Sequence, residues 1–102
     1  MKEVVHMITH IVMWKFKDGE EEKVDEFLNG LKGLKNVIPQ IVDMEVGKNV
    51  NDKNDFEAAL VLKVRTLADL EIYKDHPEHL KVSALCKQIR TDRKAVDFET
   101  DD

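Results

Sequence analysis

A single cysteine, Cys86, leaves nothing to pair with, so no disulfide can form within the 102 residues. Apolar runs are short. The longest, Ala58 to Leu62, falls far below the ~20 residues needed to cross a bilayer as a helix. The opening Met1-Lys2-Glu3-Val4-Val5-His6 has no apolar stretch of the kind that makes a secretory signal. A cytoplasmic protein is therefore expected. Positive charge is also scarce: 16 Lys and Arg stand against 21 Asp and Glu, a net charge of −5. That argues against a general nucleic-acid binder, which needs a basic face to displace counterions, and against docking on anionic lipid. Prolines number two and glycines four, and no linker, internal repeat or low-complexity segment interrupts the chain.

What is present reads as an ordinary soluble globular protein, with 42% hydrophobic and 36% charged residues. The length suits a single domain over residues 1–102, with a core of about 7–99. At this size folding buries only about 65% of the chain's surface, so a sheet face left uncovered would need a partner.

Periodicity sets the order of elements. From Ile8 to Phe16, His10, Val12, Trp14 and Phe16 alternate with Ile11, Met13 and Lys15, predicting a strand with two apolar faces that sits centrally. Asp18-Gly19 breaks it, and Asp18 with Glu21 resembles a capping box. Val24, Phe27, Leu28, Leu31 and Leu34 form one helical stripe, with Glu20 to Glu22 in the dipole-favoured first turn, and Gly33, Asn36 and Pro39 end it. Ile41 to Val50 alternates as a half-exposed strand. Asn51 to Asp55 is a polar turn, and Phe56, Ala58, Leu60, Leu62 and Val64 line one face of the next strand. Thr66 to Asp69 is a second capping signature for a short helix with Leu67, Leu70 and Tyr73 on one side. Pro77 fits the first turn of a further helix, in which His79, Val82, Cys86 and Ile89 share a face. Lys94 to Glu99 is a short last strand with Val96 and Phe98 alternating, before a loose tail at Thr100.

Strand, helix, two strands, a broken helix and a strand make a ferredoxin-like βαββαβ α+β sandwich with its helices on one sheet face. The other face, with Ile11, Met13, Ala59 and Val61, would be covered by a second copy, giving a homodimeric α/β barrel.

Five segments carry a resemblance. Thr9-His10-Ile11-Val12-Met13-Trp14-Lys15-Phe16-Lys17-Asp18, Ile38-Pro39 with Gly47-Lys48-Asn49-Val50, Tyr73-Lys74-Asp75-His76-Pro77-Glu78-His79, and Val96-Asp97-Phe98 together resemble the stress-responsive dimeric A/B barrel domain family over about residues 7–99. Met7 stands where such chains usually begin, which would make residues 1–6 an extension or a start-site choice. The resemblance implies an α+β sandwich that dimerises through its sheets. The family includes plant stress-associated proteins with no implied catalysis. It also includes a polyketide cyclase that performs an intramolecular aldol condensation without metal or cofactor. In that cyclase a His is the base and a Tyr holds the substrate carbonyl. The matching positions are His79 and Tyr73, with His10, Val12, Trp14, Phe27 and Leu31 matching pocket-lining positions. Trp14 is larger than the cyclase's aliphatic residue, and residues 80–86 lack its glycines, so a smaller pocket and another substrate are expected.

Each candidate also has a structural reading. Tyr73 can end an apolar stripe, and His79 can bond a backbone carbonyl at the helix break. His76, ahead of Pro77, reads as a turn residue, and Cys86 and Trp14 as core. His76 and His79 with Asp75 and Glu78 give at most two metal ligands on one face, so no tightly held metal and no cofactor are expected. Three functions follow. The first, preferred, is a non-catalytic or small-ligand-binding dimeric module for an apolar or aromatic molecule. The second is a cofactor-free lyase or cyclase with His79 as base, and the third, on fold analogy alone, a cofactor-free oxygenase.

Overall fold

A computed structural model describes residues 6–101. Its elements are β1 (His6–Phe16), α1 (Glu21–Gly33) continued by a 3-10 turn (Leu34–Asn36), β2 (Asp43–Lys48), β3 (Ala58–Val64), α2 (Leu67–Asp75), α3 (Pro77–Ile89) and β4 (Arg90–Asp101). The strands form one antiparallel sheet in the order β2-β3-β1-β4. This is the expected ferredoxin-like α+β architecture, with β1 central. Residues 1–5 of the segment read as an extension lie outside the described residues, and His6 opens β1.

The core lies between one sheet face and the helices. Val12, Trp14, Leu60, Leu62 and Val64 meet Phe27, Leu28, Leu31, Leu70, Tyr73, Cys86 and Ile89 there. The alternation in β1 and β3 sets the sheet half of this contact and the three- and four-residue spacing in α1 the helical half. Trp14 and Phe27 meet edge to face with ring centroids 5.0 Å apart. Gly30 faces Val82 of α3 so closely that an added Cβ would lie 3.1 Å from Val82 Cγ2, which lets the two helices approach.

Helix starts follow the local chemistry unevenly. Thr66 caps α2 by accepting from the Asp69 amide at 3.0 Å, as its capping signature predicts. Pro77 occupies the first turn of α3, and His76 caps that helix: its Nδ1 accepts from the Glu78 amide at 3.1 Å. The Asp18 capping box does not form. Gly19, at φ 81°, turns the chain so that Glu20 takes the cap position, without any side-chain cap bond. Two apolar assignments also fail. Leu67, in the first turn of α2, is 61% exposed. Phe56 precedes β3 instead of lining its core face, and its ring lies under the Lys15 ammonium, which belongs to the opposite face.

The last strand differs most from expectation. It runs from Arg90 to Asp101, so Thr100 and Asp101 pair with Met7 and His6 and form no loose tail. Its register places Asp97 opposite His10, Ala95 opposite Val12 and Arg93 opposite Trp14, all on the helix-covered face. Val96 and Phe98 therefore point to the open face, opposite Ile11 and Thr9, and remain 54% and 43% exposed. The open face is thus more apolar than Ile11, Met13, Ala59 and Val61 alone would make it.

Candidate functional site

Where α2 breaks into α3 above the β1–β4 pair, a cavity of about 50 Å³ opens between sheet and helices. All seven candidates come together there: His10, Val12, Trp14, Phe27, Leu31, Tyr73 and His79 line it. The fold positions each for a local reason. β1 alternation turns His10, Val12 and Trp14 inward; the α1 stripe supplies Phe27 and Leu31; and the helix break brings Tyr73 at the end of α2 against His79 in the first turn of α3. The Tyr73 and His79 ring centroids are 4.5 Å apart, and the His10 ring meets Tyr73 edge-on at 6.5 Å.

Hydrogen bonds fix the tautomers. His79 Nδ1 lies 2.9 Å from the Lys74 carbonyl oxygen. A carbonyl can only accept, so Nδ1 carries the proton and Nε2 of the neutral ring keeps its lone pair. His10 Nδ1 faces the Asp97 carboxylate in a short contact, which assigns its proton in the same way. The Tyr73 hydroxyl is fully buried and has no hydrogen-bond partner. Among the described residues it is the one buried side-chain polar atom left unsatisfied, an arrangement that costs free energy unless something fills the site.

Burial dominates the electrostatics. It pulls the His10 and His79 pKa values below the usual imidazole value, against the opposing pull of Asp97 on His10 and of the Lys74 carbonyl on His79. It pushes the Tyr73 phenol and the Cys86 thiol up. At neutral pH the cluster therefore holds two neutral imidazoles, a protonated phenol and a thiol. A pH dependence follows. The unfolded histidines titrate near 6.5 and the folded ones lower, so the unfolded chain takes up protons first as the pH falls. Stability from these groups is whole above about 6.5 and is lost as the pH falls through the folded values. Denaturant melts at about pH 7.5 and about pH 5.5 should show the lower midpoint at the acid pH, and the drop should shrink when both histidines are replaced.

Three charged residues at the site were not anticipated: Arg90 and Arg93, which line the cavity, and Asp97, which engages His10. The available signal was an acid between Val96 and Phe98, at the spacing that would put it across the sheet from a strand histidine. Asp75, His76, Glu78 and His79 do not assemble, and both Nδ1 atoms are engaged by backbone. Strand pairing does bring His6 within 2.7 Å of both Glu99 and Asp101, an exposed three-residue group that no sequence spacing reveals. A far larger concavity, of about 1180 Å³, lies apart from the polar cluster. It runs along the β2–β3 hairpin and the open face, where Met13, Ala59 and Val61 line it.

A ferredoxin-like sandwich with an apolar open face and a small polar-lined cavity under a broken helix is the form of a dimeric α/β barrel subunit. The family described as the stress responsive A/B barrel domain matches residues 8–100, and the chain belongs to it. A stress-response A/B barrel domain-containing protein of Arabidopsis thaliana is 29% identical over 98 residues, 90% of this chain and 46% of the relative. The chain thus spans about half of that relative's length. Olivetolic acid cyclase of Cannabis sativa is 32% identical over 77 residues, 72% of this chain and 76% of the cyclase. Among solved structures, a dimeric protein with a ferredoxin-like fold from Bacteroides fragilis superposes with a TM-score of 0.84 at 31% identity, covering 92% of this chain and 96% of its own.

Proposed function

We propose that this chain is a cytoplasmic, homodimeric small-ligand-binding domain, each copy holding one small molecule against Tyr73, His79 and His10. The observation that carries the reading is the buried Tyr73 hydroxyl, which has no protein partner beside the cavity that Tyr73 lines. A native fold seldom keeps such a group unpaired without a use for it. A volume of about 50 Å³ limits the occupant to a few heavy atoms. Pairing of two open faces into a barrel is supported by exposed Met13, Val96 and Phe98, and by the dimeric Bacteroides fragilis relative. No helix among the described residues is long and apolar enough to cross a membrane. Native mass spectrometry of the freshly purified protein tests both halves. The expected species is twice the chain mass and carries a small adduct lost on denaturation. A stable monomer at micromolar concentration sinks the dimer, and failure of every small polar probe to bind sinks the ligand reading.

A second reading, a cofactor-free lyase or cyclase, is favoured by the His79 tautomer. Nε2 is unprotonated at neutral pH and lies beside a phenol that can donate to a developing enolate, the pair needed to remove a proton next to a carbonyl. The Cannabis sativa relative is a cyclase, but the cavity here fits a small carbonyl compound, not a polyketide. Deuterium exchange at the α-carbon of pyruvate or acetone in heavy water, followed by NMR, should be accelerated by the protein and return to background in His79→Gln. Equal exchange in both proteins removes this reading. No residue in the cluster favours the oxygenase expectation.

A further inference from the structure

We propose that the cavity mouth is an anion subsite, in which Arg93, assisted by Arg90, takes the carboxylate of a small carboxylic acid whose remaining atoms lie against Tyr73 and His79. The assignment rests on the ligand-binding reading above and names the class of ligand.

The core face of β4 presents Arg93, Ala95 and Asp97 to the cavity side in strict alternation. Asp97 is matched, because it holds His10. Arg93 is not. Neither its guanidinium nor that of Arg90 forms an ion pair with a carboxylate among the described residues. The nearby acids are already committed: the Asp92 carboxylate accepts from the Arg93 amide at 2.8 Å and faces Lys94 Nζ at 3.9 Å. The chain has five more acidic than basic side chains overall, and yet it lines this cavity with two arginines that have no ion pair among the described residues. The charge of Arg93 is felt at His10, Tyr73, His79 and Cys86, so it acts on the whole cluster.

Chemistry narrows the ligand. A guanidinium offers two parallel donors at the spacing of carboxylate oxygens, which a neutral amide or ketone cannot match. Arg93 is exposed and can meet an anion arriving from water, whereas Arg90 is half-buried and lines the cavity with Cys86. Tyr73 then offers its spare hydroxyl, and His79 its Nε2, to whatever polar group lies beyond the carboxylate. The volume of about 50 Å³ suits acids no larger than about acetate or pyruvate.

The test is titration of the intact protein with acetate and pyruvate beside acetamide and acetone, read by NMR shifts of the His10 and His79 ring protons. Carboxylates should bind at least roughly tenfold more tightly than their neutral counterparts. Arg93→Met should remove that preference, and Arg93→Lys should retain part of it. A melt checks that each variant folds, and if Arg93→Met does not, the Arg93→Lys comparison decides. Equal binding of charged and neutral probes overturns the anion assignment, and inorganic phosphate outcompeting every carboxylate overturns the carboxylate as its ligand; either leaves the ligand-binding reading standing. Absence of binding by all the probes overturns both.

Discussion

Replacing Ile11 with lysine is expected to convert the proposed dimer into a folded monomer. Ile11 lies on the open face, between Val61 of β3 and Val96 of β4, in the middle of the apolar surface completed by Met13 and Phe98. A twofold interface meets itself, so one substitution places two ammonium groups in the buried patch. Each uncompensated buried charge costs several kcal/mol, and each 1.4 kcal/mol is tenfold in affinity, so dissociation should be favoured by about a hundredfold or more. In the separated chain the same lysine reaches water along its own stem, and the helix-covered core does not change. Sedimentation velocity at micromolar concentration should show the chain mass with native circular dichroism. The melting midpoint should also fall, because a partner that binds only the folded state no longer adds to stability. A persistent Ile11→Lys dimer would place the interface on another surface.

The parts of this molecule legible in the sequence are those governed by neighbours along the chain. The stripe through Phe27, Leu28 and Leu31, the Thr66 cap and Pro77 in the first turn of α3 each depend on residues within a few positions, and all three form. Asp18 failed as a cap for an equally local reason, since Gly19 takes a positive φ and moves the helix start to Glu20. The strand registers are another matter. The alternation of Val96 and Phe98 marks a strand, but which side of β4 faces inward is decided by pairing with β1, some 87 residues away, where buried His10 finds its partner in Asp97. Turning Asp97 inward sends Val96 and Phe98 outward and brings Arg93 to the cavity, because side chains alternate along this regular stretch of the strand. Asp97 and Arg93 are therefore one consequence of one register, whereas Arg90 stands at the α3–β4 junction, beyond the shift in pairing at Lys15/Phe16. Tyr73 and His79 were recoverable because a helix break puts them close in sequence as well as in space.

Tyr73→Phe and His79→Ala should separate a binding role from a scaffold role, because the two side chains are bonded so differently. The Tyr73 hydroxyl gives up its contact with water on folding and gains no protein partner in return. Removing it while keeping the ring deletes an unpaired buried polar group, so Tyr73→Phe should hold or raise stability, by up to about 1 kcal/mol. His79 is engaged at both ends of its packing: Nδ1 donates to the Lys74 carbonyl near the end of α2, and the ring lies against Tyr73. His79→Ala leaves a hole beside the tyrosine and a carbonyl without its donor, at a cost on the order of 1–3 kcal/mol. Binding should respond in the opposite order of severity. Loss of the phenol should weaken a small polar ligand roughly tenfold without touching the fold, the signature of a group kept for its ligand. Denaturant melts of both variants beside the parent, followed by titration with the same probe, decide the matter. A Tyr73→Phe protein that loses 1 kcal/mol or more, with its affinity intact, would show that the hydroxyl serves the fold through a partner such as an ordered water.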